Sequence, residues 1–355
     1  MSPRQSRRTA PAVKAATPKL SPGTAREQVT LEFPDNALLG LFGGAHQANF
    51  VRIEQKLGVR VSMRGNLVSV EGSLDAREQA ASVLRALYAR IETGEKSGLA
   101  EVDAEIRFAT HERPSQPSGD FGVPQVKTAS SRMTRARSPA QAAYLDLMRT
   151  HPLVFGVGPA GTGKTYLAAA FGAHLLYERR IERLILSRPA LEAGERLGFL
   201  PGDIREKIDP YLRPLYDALF DVMGDQCVKL MEQGTIEVAP LAFMRGRTLA
   251  RAFVILDEAQ NCSSAQMRMF LTRLGEDSRM VVAGDSTQSD LPGGRAEGLN
   301  EAVNVLSGVE GVAIARFSDK DVVRHPLVTR IVRAYSGGQQ SAPDQTPAGQ
   351  RKAEG

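Results

Sequence analysis

The sequence predicts an α/β protein with a mostly parallel sheet, preceded by a small α+β domain. Three observations predict it. From about 139 to 336, short apolar runs alternate with helix-length segments, the pattern of a parallel sheet covered on both faces. A complete G-x-x-x-x-G-K-[ST] run sits between one of those strands and the next helix. From 31 to 93 the periodicity reads strand, helix, two strands, helix, which suits a separate unit of about 60 residues.

The chain opens on residues 1–30, rich in Pro, Ser, Ala and Arg and without hydrophobic period, and this tail is expected to be disordered. It carries six basic residues and one acid, so it accounts for the whole formal net charge of +5; residues 31–355 balance at 39 of each sign. The body therefore offers no net-charge argument for nucleic acid. The tail lacks the apolar core of a secretory signal. Its composition overlaps that of organelle transit peptides, but its prolines oppose the amphipathic helix those peptides form. Cys227 and Cys262 make no disulfide framework and no metal-ligand spacing. With no apolar run of membrane-spanning length, a soluble protein of the reducing cytoplasm is expected, with no membrane partner.

In the first domain, Val29, Leu31 and Phe33 alternate as a strand, and Phe50, Ile53 and Leu57 follow a helical period. Val59, Val61 and Met63 alternate again, as do Val68 and Val70. Residues 75–91 form a helix with Ala80, Val83, Leu84, Leu87 and Ile91 as its apolar stripe. Residues 94–138 are broken by glycine and proline and read as a linker, with one short strand near Val126.

The second domain, 139–336, is expected to place strands at Leu153–Val157, Leu184–Ser187, Ile236–Ala239, Phe253–Asp257, Met280–Ala283 and Val312–Phe317. Helices are expected at Lys164–Tyr177, Asp203–Phe220, Ser264–Leu274, Ala296–Leu306 and Val322–Tyr335. Residues 337–355 are polar and rich in Pro, Gln and Gly, and are expected to be disordered.

Three strand ends carry the chemistry. Gly158-Pro159-Ala160-Gly161-Thr162-Gly163-Lys164-Thr165 is a phosphate-binding loop in the context the motif requires. Its glycines let backbone N–H groups converge on an anion, and the following helix adds its positive end. Lys164 can reach the β- and γ-phosphates, and Thr165 can ligate Mg²⁺. Phe253–Leu256 ends in Asp257 and Glu258, placed to hold the metal and to orient or deprotonate a water. Val281–Ala283 ends in Gly284-Asp285-Ser286-Thr287-Gln288, where the Gln288 amide can meet a γ-phosphate or its attacking water. Arg188 and Arg324 are candidates to touch nucleotide or nucleic acid. His325 reads as a helix-side histidine.

Taken together, GPAGTGKTYLA (158–168), the block 184–219, APLAFMRGRTL (239–249), FVILDEAQN (253–261), VVAGDSTQSDLP (281–292) and DVVRHPLVTRIVRAY (321–335) closely resemble the PhoH-like ATPases. The resemblance implies a RecA-like P-loop NTPase core that takes ATP and Mg²⁺. It implies that Gln141 reads adenine, and that Arg324 acts in trans across a subunit boundary. The sequence holds one phosphate loop and no second motor domain, so the resemblance implies a homo-oligomer, with a hexameric ring as the suggested form. Residues 31–93 resemble a KH-like module, with Gly40-Leu41-Phe42-Gly43 in the place of the backbone-clamping G-x-x-G loop. Two functions are expected from this. One is ATP hydrolysis coupled to RNA remodelling, in RNA processing or ribosome maturation beside a partner endoribonuclease. The alternative is a nucleotide-switched oligomeric scaffold or RNA-binding protein with incidental ATPase activity.

Overall fold

The structure, a computed structural model, describes residues 28–95, 97–110, 125–127, 133–189, 204–288 and 296–323, with 328 and 331. Most of the helix expected at Val322–Tyr335, including Arg324 and His325, lies outside the described residues.

The first domain begins at Gln28, inside the stretch read as tail. It runs β1 (Gln28–Glu32), α1 (Asn36–Phe42), α2 (Ala48–Leu57), β2 (Arg60–Arg64), β3 (Leu67–Glu71) and α3 (Leu74–Glu92). The sheet is antiparallel in the order β1-β3-β2, with Val70 opposite both Val29 and Val61. Gly65, at φ +60, makes the two-residue turn between β2 and β3. The helices cover one face, and Phe33, Phe42, Phe50 and Tyr88 pack there at ring distances of 4.6 to 5.9 Å, edge-on except for the tilted Phe33–Tyr88 pair. Helix α1 was not legible in the periodicity. Asp35 starts it, its carboxylate accepting the Ala37 N–H at 2.8 Å.

The stretch expected to be a linker contains a further helix, α4 (Leu99–Thr110). It packs across α2 and α3, where Val102 and Ile106 join the first domain's core. Arg52 holds Asp103 through two bonds of 2.8 and 2.6 Å. Arg90 reaches Glu105 at 3.3 Å and Glu95 at 3.2 Å. The helix was missed because glycines 94 and 98 precede it and prolines follow, while its buried positions are few. Its other side faces the second domain. Phe108 packs on the larger core, the Arg107 guanidinium donates to Arg137 O at 3.0 Å, and Arg135 pairs with Glu95. The short strand at Val126 is present as β4 (Gln125–Lys127), antiparallel to β5 (Met133–Arg135).

The second domain continues through α5 (Pro139–Thr150), β6 (Leu153–Val157), α6 (Lys164–Tyr177), β7 (Arg183–Arg188), α7 (Ile204–Met223), α8 (Gln226–Glu232) and β8 (Ile236–Pro240). It ends with β9 (Ala252–Leu256), α9 (Ser264–Leu271), β10 (Arg279–Gly284), α10 (Glu297–Val305) and β11 (Val312–Arg316). Its six strands are all parallel, in the order β11-β6-β10-β9-β7-β8. Strands β6 and β9 are buried along their whole length, which is why they read as continuous apolar runs. Two apolar cores lie on opposite faces of the sheet: one with α5, α6 and α7, the other with α9 and α10. The parallel arrangement brings every strand's carboxyl end to one edge, where ligands of such sheets bind.

Both cysteines are free and buried. Burial pushes the Cys227 thiol up to about 11 and the Cys262 thiol up to about 12. In native protein at pH 8, mass spectrometry after iodoacetamide should show neither thiol alkylated; both should label in guanidinium. Fast native labelling of either would contradict this packing.

Candidate nucleotide site

The phosphate loop leaves β6 at Gly158 and enters α6 at Lys164. Gly158 adopts φ +148, and a side-chain carbon there would sit 2.4 Å from Phe317 O at the end of β11. Only glycine lets the loop cross so close to its neighbouring strand. Gly163, at φ +82, is the residue from which the helix starts. In this state Lys164 Nζ donates to Gly158 O at 2.7 Å and Pro159 O at 2.8 Å. The ammonium thus spans the loop, held by carbonyls where phosphate oxygens would compete.

Lys164, Thr165, Asp257, Glu258 and Gln288, the five residues expected from three separate strand ends, all line one cleft of about 290 Å³. Thr165 Oγ1 donates to Asp257 Oδ1 at 2.5 Å across 92 positions of sequence. Asp257 N–H donates to Ser187 O at 2.9 Å, fixing the strand end. Burial raises the Asp257 carboxyl above its ordinary range, and the Thr165 hydroxyl opposes that rise. This pair supplies two hard oxygen ligands, the donor set Mg²⁺ uses when phosphates and waters complete its shell. A bound cation would reverse the penalty on the carboxylate.

Glu258 stands at φ +50, a left-handed backbone uncommon for a residue with a side chain. Its carboxylate takes an ion pair from Arg188 Nη2 at 3.1 Å and accepts from Gln260 Nε2. Arg188 also donates to Tyr211 O at 3.2 Å, so it ties α7 to the acidic strand end. Gln260 was not singled out from the sequence. Its Oε1 accepts Asp285 N–H at 3.0 Å, so one side chain joins the ends of β9 and β10. Gly284 makes room for it: a side-chain carbon there would lie 2.9 Å from Gln260 Oε1. Asp285 accepts Thr287 N–H at 2.9 Å through Oδ1, while its buried Oδ2 has no partner.

Gln141 lies behind the loop. Its Nε2 donates to Thr162 O at 2.9 Å and its Oε1 accepts Arg137 N–H at 2.6 Å. Ser138 caps α5, accepting Gln141 N–H at 3.3 Å. In this state Gln141 braces the phosphate loop rather than facing the cleft. Pro159 and Thr162 shape the loop through their carbonyls, and Ala160 and Gly161 line the cleft. Tyr166 and Gln260 are lining residues that the motif alone did not mark.

Comparison with known proteins identifies the chain's relatives. The profile of the family described as PhoH-like protein matches residues 133–336. A PhoH-like protein of Bacillus subtilis (strain 168) is 47% identical over 307 residues, covering 86% of this chain and 95% of that one. One of Synechocystis sp. (strain PCC 6803) is 41% identical over 315 residues, covering 88% and 96%. Protein PhoH of Escherichia coli (strain K12) is 48% identical over 204 residues, covering 57% and 58%. Among solved structures, the Sulfolobus solfataricus SWI2/SNF2 ATPase core aligns at 13% identity and a TM-score of 0.32, over 58% of this chain and 54% of that one, a likeness too slight to weigh.

Gly158→Ala should lower affinity for ATP more than tenfold, measured by calorimetry, because the methyl must displace either the loop or β11. Unchanged affinity would place the phosphates elsewhere.

The chain belongs to the PhoH-like protein family, with a P-loop NTPase core.

Proposed function

We propose that this family member hydrolyses Mg²⁺–ATP and couples the cycle to binding and remodelling of RNA. The observation that carries the hydrolytic part is the convergence of Lys164, the Thr165–Asp257 pair and Glu258 on one cleft. In the bound state Lys164 leaves its carbonyl partners for the β- and γ-phosphates. Thr165 and Asp257 would hold the metal, which would supply electrostatic relief to the phosphates when bound. Glu258 orients or accepts a proton from the attacking water, and Gln288, exposed on the cleft wall, is positioned for the γ-phosphate side. Gln141, already fixed against the loop, is the candidate for adenine contact.

The RNA part rests on the first domain. Its order β1-α1-α2-β2-β3-α3, with Gly43 and Gly44 at the α1–α2 junction, supports a KH-like reading, although Gly40, Leu41 and Phe42 form the last turn of α1 and Phe42 is buried, so the expected G-x-x-G run is not itself the loop. One motor core has no second domain to complete its site. A homo-oligomer, with hexamer as the candidate form and Arg324 reaching the neighbouring nucleotide, would supply the missing cation. An endoribonuclease is the partner class that remodelled RNA would serve.

One observation favours the alternative of a slow, nucleotide-switched scaffold. Glu258 is engaged by Arg188 on one oxygen and Gln260 on the other, so an attacking water must share a carboxylate already held in place.

Lys164→Ala should abolish ATP binding, and Glu258→Gln should bind ATP while lowering turnover at least a hundredfold, read by phosphate release. Single-stranded RNA should accelerate the wild-type rate. If Glu258→Gln keeps full RNA remodelling without hydrolysis, the scaffold reading replaces this one.

A further inference from the structure

We infer that the turn after β8, residues 241–249, is a docking platform for single-stranded RNA, with Phe243 as its stacking face and Arg245 as its phosphate contact. This deepens the RNA reading above and rests on it.

The turn leaves the sheet at the same carboxyl edge as the nucleotide cleft. Pro240, where it begins, pairs in register with Arg188, the residue that holds Glu258. The turn is rigid. Leu241 and Met244 are buried in the core on the α9 face. Arg247 grips Glu237 through two bonds of 2.6 and 2.7 Å. From beyond α9, Arg273 Nη1 donates to Arg247 O at 3.1 Å and Arg273 O accepts Leu249 N–H at 2.9 Å.

Against that anchoring, Phe243 stands 54% exposed between the buried Leu241 and Met244, beside an exposed Ala242. Its neighbour Arg245 is exposed and makes no side-chain hydrogen bond or ion pair among the described residues. A ring already fixed on a braced turn loses little conformational freedom when a flat partner covers it. A lone ring among arginines lacks the contiguous apolar area of a protein–protein core. It suits a base, whose face stacks on the ring while its phosphate meets a guanidinium. Glu237, the acid that meets the turn, is already matched by Arg247. Residues 241–249 carry Arg245 and Arg247 and no acid, in a body whose charges sum to zero.

The location also gives the contact a consequence. RNA seated on Phe243 would press on the turn that begins at Pro240, the register partner of Arg188, so occupancy can bias the Arg188–Glu258 ion pair that holds the carboxylate.

The test uses the full chain and a fluorescein-labelled uridine homopolymer, read by anisotropy. Phe243→Ala should weaken binding about tenfold, and Phe243→Tyr should restore it. Arg245→Ala should reduce the salt slope by about one unit. ATP affinity and melting temperature should not move, since both side chains are exposed. If wild-type binds and Phe243→Ala binds equally well, the platform is wrong and the proposed function stands. If wild-type binds no RNA under any nucleotide state, both fall. If Phe243→Ala instead lowers the mass measured by light scattering, the turn is a contact between copies and the RNA assignment is overturned.

Discussion

The larger domain is organised around one costly contact, the meeting of Thr165 with a buried Asp257. A carboxylate taken out of water is penalised, and its proton affinity rises accordingly. One hydroxyl offsets part of that cost. The strands that carry Asp257 and the phosphate loop are separated by β10, so only the sheet's stiffness keeps the pair in register. The buried carboxylate thus sits where the Mg²⁺ of a magnesium nucleotide would offset its cost.

Around that contact, the strand ends are linked sideways. Arg188 from β7 holds Glu258, Glu258 meets Gln260, and Gln260 receives the backbone of Asp285 at the end of β10. Four side chains or backbone groups from three strands therefore move together or not at all. Packing at Gly284 makes this close: the absent side chain is what lets Gln260 reach. Among the described residues, Asp285 Oδ2 is a buried atom on this link without a partner, and Asp285 lines the same cleft.

Much of this was legible in the residues because it is encoded locally. The phosphate loop needs glycines, a lysine and a threonine in one unbroken run. Fully buried strands such as Leu153–Val157 and Ala252–Leu256 announce themselves as apolar runs, the first ending in the glycine of the phosphate loop and the second in two acids. What was not legible depends on distant partners. Helix α4 looked like linker because its reasons for being helical are Arg52 and Arg90 on other helices. Gln260 carried no motif weight of its own, and its role appears only when β9 and β10 lie side by side. Gln141 was placed near the nucleotide by resemblance, whereas its amide is spent bracing the loop in this state.

Helix α4 also changes what the small domain is in mechanical terms. Its buried side chains belong to the first domain, yet Phe108 and Arg107 grip the second. From Arg107 a line of hydrogen bonds runs through the Arg137 backbone to the Gln141 amide and ends on the Thr162 carbonyl of the phosphate loop. The small domain is therefore a lever arm fixed to its pivot, not a bead on a string. A torque applied at its far end arrives, within four residues, at the loop that would hold the phosphates.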